Sequence, residues 1–418
     1  MWEDFLTKSD RIGLLATTRA LQPQFSSGAG HESEERQTQS PRSGAPKGTV
    51  HEKFNVVMLT TVHIARDVRI FHHEAKAFAE AGFSVAVIGR HPRSEETDGI
   101  WIEALPEPTD RFHRLIQGWT VLKRALELSA GVFIFHDPEL FWVALALRAS
   151  GRKVVYDSHE NLPMQVFQKL WLPRVLRWIL VPTCWILEGL CSRALSGVIA
   201  VNETVAKRFP KQRTIVVRNF PTRTVLDSIG QEVPLRLRGR VVIYAGGLSR
   251  IRGILELVEA FRGLELQGAE LWLVGRFYDN AFEKEVLRSL PRNVRWLGWK
   301  DYSDVLCLYD KAKVGALLLH PAPNHRDAMP IKIFEYLGAG LPVIASSLPQ
   351  FDDVLHGCGI QVNPLDIEKV RDAIRKLLTD ESMLEQMSRI GRERVLTSFC
   401  WENEARKLLE FCSEIASQ

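Results

Sequence analysis

From about residue 54 onward, apolar residues fall into short dense blocks separated by amphipathic stretches of helical period. FNVVMLT (54–60), FSVAVIG (83–89), GVFIFHDP (131–138), GRKVVYDSHE (151–160) and SGVIAVNE (196–203) each carry a near-continuous apolar run of strand length. Runs of that kind fit strands buried on both faces, as in parallel sheets. Between them, DVRIFHHEAKAFAEAG (67–82) has apolar positions at helical spacing, with Asp67 as a cap and Gly82 as a stop. ELFWVALALRAS (139–150) reads as a further helix, and a long helical stretch precedes residue 196. Strands alternating with helices predict a Rossmann-like α/β domain, doubly wound around a parallel sheet, over residues 51–225.

Residues 216–239, VVRNFPTRTVLDSIGQEVPLRLRG, break the pattern and read as a linker. A second alternation follows: VVIYAGG, the helix ILELVEAFRG, then AELWLVG, NVRWLG, VGALLL, LPVIAS and GIQV as strands. It predicts a second Rossmann-like domain over 236–395, with a closing helical segment at 396–418. Residues 1–50 lack the pattern. Gln22 to Lys47 holds one aromatic residue, Phe25, and almost no aliphatics, so a disordered tail is expected there.

Composition narrows the class without naming it. A chain of 418 residues suits two domains, and 45% hydrophobic with 25% charged residues is ordinary for a globular protein. A net charge of +4 gives no case for nucleic acid as a partner. Six cysteines without a C-x-x-C pair read as free thiols of a reducing, cytoplasmic compartment. No signal peptide is evident. The longest apolar run, Trp178 to Leu190, is shorter than the ~20 residues of a spanning helix and contains Pro182 and Glu188, so no transmembrane segment is expected. Residues 165–193 interleave Trp171, Trp178 and Trp185 with Lys169, Arg174, Arg177 and Arg193. That mixture fits either a peripheral membrane contact or a packing helix.

The candidate chemistry concentrates in DAMPIKIFEYLGAGLPVIAS, residues 327–346. Pro330 suits a helix start and Gly340 a stop. Amides exposed at a helix start attract phosphate. Lys332 lies in the first turn and Glu335 one turn further, which sets a cation near a phosphate and a carboxylate near a sugar diol. The pattern resembles the donor-site motif of the retaining family-4 glycosyltransferases (glycosyl transferases group 1, GT-B fold). In these an acidic residue precedes Glu by eight positions, as Asp327 precedes Glu335, and one branch reads P-x-K-x-x-E-Y, as Pro330 to Tyr336 do here.

Other landmarks follow in the same order. Tyr244 to Gly253, YAGGLSRIRG, is a glycine turn between strand and helix, resembling the family's G-R-L-S-x-x-K-G. Arg252 matches its Lys, whereas Gly247 stands where the family commonly has Arg, and Arg250 is the candidate substitute. Gly275 ends the next strand at a position that suits a ligand crevice. His136 ends a first-domain strand, where the family has a His close to the donor sugar. Asp157 to Glu160 resembles Y-D-x-H-E, and 67–74 resembles D-V-R-x-F-x-x-E.

The resemblance thus implies two Rossmann-like domains facing a cleft, with the last helix crossing back to the first domain. It implies transfer of a sugar, with retention, from a nucleoside diphosphate sugar to a glycan or lipid-linked acceptor of surface-glycan synthesis. It assigns His136, Asp327 and Glu335 to the reacting centre, and Gly246, Gly247, Arg250, Arg252, Gly275, Ile331 and Lys332 to the donor. Arg69, His159 and Glu160 fall on the acceptor side. No cofactor is expected, and no Asp-x-Asp or His cluster suggests a metal. Two other readings stand beside it: a nucleotide-sugar epimerase of like architecture, and a silent scaffold that binds nucleotide sugar. A dehydrogenase is disfavoured because neither domain opens on a full G-x-G-x-x-G, and a serine hydrolase because no G-x-S-x-G elbow occurs.

Overall fold

The computed structural model describes residues 53–158, 173–230, 232–322, 325 and 329–418. The first sheet has eight strands in the order β3-β4-β2-β1-β5-β6-β7-β8. They are β1 (Lys53–Ile64), β2 (Val85–Arg90), β3 (Glu95–Thr97), β4 (Ile100–Leu105), β5 (Ser129–Phe135), β6 (Val154–Ser158), β7 (Gly197–Ala200) and β8 (Thr214–Val216). All pairs are parallel except β3 with β4. The second sheet is parallel throughout, in the order β11-β10-β9-β12-β13-β14. Its strands are β9 (Val241–Ala245), β10 (Glu270–Val274), β11 (Val294–Gly298), β12 (Val314–Leu317), β13 (Val343–Ser346) and β14 (Gly359–Val362).

Each strand order reverses direction once, between β1 and β5 and between β9 and β12. Crevices at the carboxyl ends of such strands are where open α/β sheets take ligands. The β1 ladder shows why the apolar runs form these strands: Val56 to Leu59 are wholly buried, paired with β2 on one side and β5 on the other.

Helices cover both faces. A π-helical stretch (Val68–Ala75) runs into α1 (Lys76–Glu80), and Asp67 accepts from the amides of Arg69 and Ile70 as its cap. The first domain adds α2 (Arg111–Glu127), α3 (Phe141–Ala149) and α4 (Arg174–Arg193). The second has α5 (Ile254–Arg262), α6 (Asn280–Arg288), α7 (Tyr302–Tyr309), α8 (Ile331–Gly338), α9 (Ile367–Thr379) and α10 (Glu381–Ser398). The last helix, α11 (Trp401–Ser417), leaves the second domain at Cys400. Its Trp401, Leu408, Cys412 and Ile415 join the first-domain core, whereas Val395 of α10 belongs to the second. The crossing therefore starts later than the residue-396 boundary drawn from sequence.

Three features depart from the sequence reading. Strands β3, β4 and β8 and helices α2, α6 and α7 were not legible from apolar runs, being short or half-exposed. The expected linker starts on the last residue of β8 and contains a short helix, Arg223–Ser228. Pro330 is the cap of α8, in extended conformation with φ −65° and ψ 130°, rather than its first helical residue.

Among the described residues, helix α4 carries a dense group of exposed apolar side chains. Val175–Arg193 has the length and composition to cross a membrane, with mean hydropathy 1.4, yet only 11% of it is buried. Trp178, Ile179, Trp185, Ile186, Leu187 and Leu190 are each half exposed or more. The helix runs through Pro182 for 20 residues, longer than the Trp178 to Leu190 run on which the expectation of no transmembrane segment rested. Glu188 faces inward, accepting from the Tyr156 hydroxyl at 3.0 Å and pairing with Arg208. That contact fixes the helix against the domain instead of leaving it independent. Lys169 and Trp171 lie outside the described residues.

Candidate functional site

Helix α8 is placed by its own sequence. Ile333, Phe334, Tyr336 and Leu337 are buried, so the opposite side of the helix turns Lys332 toward the cleft. Burying one such side chain is worth roughly 1.5–3 kcal/mol, so the rotation of α8 is strongly fixed. The Tyr336 hydroxyl accepts from the Ala245 amide at 2.9 Å, which ties the end of β9 to α8.

Gly246 follows directly, with φ +136°. A Cβ there would lie 2.3 Å from Lys332 Nζ, so glycine lets the ammonium pack against the turn. The ammonium also sits 4.4 Å from the Tyr244 ring centroid. Burial and the neighbouring Arg252 guanidinium push the Lys332 pKa down to about 7. Gly275, at φ +137°, approaches from β10; a Cβ on it would meet the Gly246 carbonyl oxygen at 1.9 Å. The ends of β9 and β10 thus touch through glycines and leave no room for a side chain.

Glu335 completes this side. It is 8% exposed, and burial raises its pKa. Its Oε1 accepts from the Tyr302 hydroxyl at 2.8 Å and its Oε2 from Tyr309 at 3.2 Å. An ionised carboxylate offers about four lone-pair sites, so two phenols leave acceptor capacity for a ligand's hydroxyls. Tyr309 and the tethering role of Tyr336 went unread in the sequence. The signal for Tyr309 was its spacing of seven from Tyr302, which places both on one side of α7.

A cleft of about 1230 Å³ joins these residues to the first domain. Gly246, Ile331, Lys332 and Glu335 line it from one side, and Val68, His72 and Lys76 from the other, with the 221–225 segment and α11 between. Three of the expected donor residues and Glu335, expected at the reacting centre, therefore share one wall.

The remaining expectations divide. Arg252 stands beside the turn, its Nη1 donating to the Gly247 carbonyl at 3.3 Å. Arg250, the candidate substitute for a phosphate cation, is turned away: it pairs with Glu285 and lies 4.9 Å from the Phe282 ring centroid. Arg69 is not on the acceptor surface. It is 5% exposed, its Nε and Nη2 grip both oxygens of Asp157 at 2.9 and 2.7 Å, and its Nε is 3.1 Å from Glu74. Two buried carboxylates hold its pKa above the ordinary arginine value, so it serves as an internal tie.

His136 is 2% exposed at the end of β5, with Nδ1 3.0 Å from Asp157 Oδ2. Asp137 beside it accepts from the Thr60 hydroxyl and the amides of Thr61 and Val62 at 2.7, 2.6 and 3.0 Å. The loop after β1 is thereby locked to β5. Among the described residues, Glu74, His136 and Asp157 form a group whose ligand atoms lie within 4.8 Å of one another, close enough for a metal. The Arg69 guanidinium already pairs with both of those carboxylates. Asp327, His159 and Glu160 lie outside the described residues.

Two family models match the chain. Residues 239–380 match "Glycosyl transferases group 1" and residues 68–219 match "Glycosyltransferase Family 4". Among curated proteins, the chain is 23% identical to the capsular polysaccharide biosynthesis glycosyltransferase CapM of Staphylococcus aureus over 235 residues. That match covers 51% of this chain and 60% of that protein. It is 23% identical to O-antigen chain mannosyltransferase B of Escherichia coli over 167 residues, covering 38% and 42%. The chain therefore spans about 60% of the first of these relatives and less of the second. In fold it is similar to sucrose-phosphate synthase of Thermosynechococcus elongatus, with TM-score 0.65, 18% identity and coverage of 87% and 99%. It is likewise similar to Anabaena Alr3699/HepE in complex with UDP-glucose, with TM-score 0.63, 16% identity and coverage of 86% and 100%.

Proposed function

The chain belongs to the group 1, family 4 glycosyl transferases of GT-B fold, and from that premise we propose that it moves a sugar from a nucleoside diphosphate sugar to a glycan or lipid-linked acceptor of surface-glycan synthesis. The observation that carries the reading is the shared cleft wall of Gly246, Lys332 and Glu335. Lys332 and Arg252 neutralise the diphosphate as it departs, and electrostatic stabilisation of that kind is usually the largest catalytic term. Glu335, braced by two phenols, takes the ribose hydroxyls. Asp327 and His136 contact the donor sugar, with Asp157 orienting the imidazole. Transfer proceeds with retention, the acceptor attacking on the face from which the diphosphate leaves. His159 and Glu160 meet the acceptor.

The same reading places the enzyme on the inner face of the cell membrane, held there by α4. A helix with an exposed apolar surface, exposed tryptophans and an arginine at its end suits the lipid interface. CapM is named for capsular polysaccharide biosynthesis, which supports a surface-glycan setting.

The test is a screen of the full-length protein against UDP-, GDP- and ADP-sugars, with Glu335→Ala beside it. Nucleotide release from one donor, falling at least about a hundredfold in a folded Glu335→Ala variant, is expected. Full activity in that variant overturns the donor site. Binding of donor with no turnover in the presence of membrane lipids and glycan acceptors favours a scaffold.

A further inference from the structure

Three polar side-chain ends from three separate segments converge on the Gly246–Gly247 dipeptide. Lys332 Nζ and Arg252 Nη1 lie 2.3 and 3.8 Å from where a Cβ on Gly246 would stand. The Tyr278 hydroxyl lies 2.5 Å, and its ring 2.2 Å, from where a Cβ on Gly247 would stand. The phenol therefore lies over Gly247, where a side chain at 247 would have to displace it.

Tyr278 is brought there by its backbone. The Leu248 amide donates to the Arg276 carbonyl at 2.8 Å, the Tyr278 amide donates to the Leu248 carbonyl at 3.4 Å, and Leu248 bridges Phe277. The loop after β10 is thus zipped to the loop after β9. The side chain itself is 74% exposed, so apolar burial does not explain its position. Among the described residues none hydrogen-bonds its hydroxyl, and the Arg252 guanidinium lies 5.9 Å from the ring centroid. A phenol is a neutral O–H donor, and hydrogen bonds to a charged acceptor are stronger than neutral ones. Arg250 is drawn off to Glu285, which leaves Arg252, Lys332 and this phenol around the turn.

We propose that Tyr278 is a third contact to the donor's diphosphate, its hydroxyl donating to an anionic oxygen that Arg252 and Lys332 neutralise, in the space a residue-247 side chain would otherwise occupy. The proposal rests on the donor-site reading above and adds a binding residue to it.

Titration calorimetry of full-length protein with UDP, GDP and ADP, and with the parent nucleosides, tests it. For the diphosphate that binds, Tyr278→Phe is expected to weaken affinity about ten- to a hundredfold while nucleoside affinity holds, the size of one hydrogen bond to a charged group. Wild-type diphosphate affinity in Tyr278→Phe, with affinity lost in Lys332→Ala, overturns the proposal and leaves the donor site standing. Loss of nucleoside affinity in Tyr278→Ala but not in Tyr278→Phe means the ring stacks on the base, which also overturns it. Wild-type affinity in Lys332→Ala, or no diphosphate binding at all, overturns the donor-site reading itself.

Discussion

At the scale of single residues, the donor wall depends on charges held out of their ordinary range. Lys332 is the clearest case, with its pKa lowered to about 7 by burial and by Arg252. A bound diphosphate favours the ammonium, so binding takes up a proton wherever free Lys332 is neutral. The Lys332 contribution to nucleoside diphosphate affinity is therefore expected to fall as pH rises through 7, by up to about tenfold per pH unit. Titrations between pH 6 and 9 check this, and Lys332→Ala should flatten the profile. Glu335 was legible from its spacing to Lys332, because helical geometry puts i and i+3 on one face. Arg69 was placed on the acceptor side by the D-V-R-x-F-x-x-E resemblance, and a local motif does not register burial. Its partner Asp157 is 88 positions away in sequence, and no local pattern announces that pairing.

At the scale of elements, legibility followed burial. Strands with unbroken apolar runs, such as β1, β5 and β9, were readable because both faces are covered. β3 (Glu95–Thr97) and β8 (Thr214–Val216) were not, since three residues carry no period. The glycine contacts between β9 and β10 belong to this scale, and they predict a large cost for a single methyl group. Gly275→Ala adds about 1–3 kcal/mol of backbone strain and a further ~1–3 kcal/mol of overpacking against Gly246. A lowered melting temperature and loss of diphosphate binding are expected, read by thermal unfolding and calorimetry. Helix α4 supplies the other element-level prediction. Replacing exposed Ile186 and Leu187 by glutamate should abolish flotation with anionic vesicles while donor hydrolysis in solution is unchanged. Equal flotation of wild type and variant would remove α4 as the anchor.

At the scale of the whole molecule, the carboxyl end of β9 opens on a cleft whose opposite wall is the helix that follows β1, and α11 crosses from the second domain onto the first-domain core. Trp401 stacks on His73 with centroids 4.6 Å apart, and Glu404 accepts from the Arg218 amide at 2.8 Å. The sequence carried the two-domain alternation and the order of the motifs. It could not carry the cleft itself, because Val68, Lys76 and the residues of α11 meet Lys332 only through tertiary packing. The central claim is that this cleft holds a nucleoside diphosphate with its phosphates on Lys332 and its ribose on Glu335. The most direct measurement compares binding of the ribonucleoside diphosphate and its 2′,3′-dideoxy analogue to wild type, Lys332→Ala and Glu335→Ala. The account predicts that wild type prefers the ribonucleotide, that Glu335→Ala loses the preference, and that Lys332→Ala weakens both ligands alike. An unchanged preference in Glu335→Ala would contradict it.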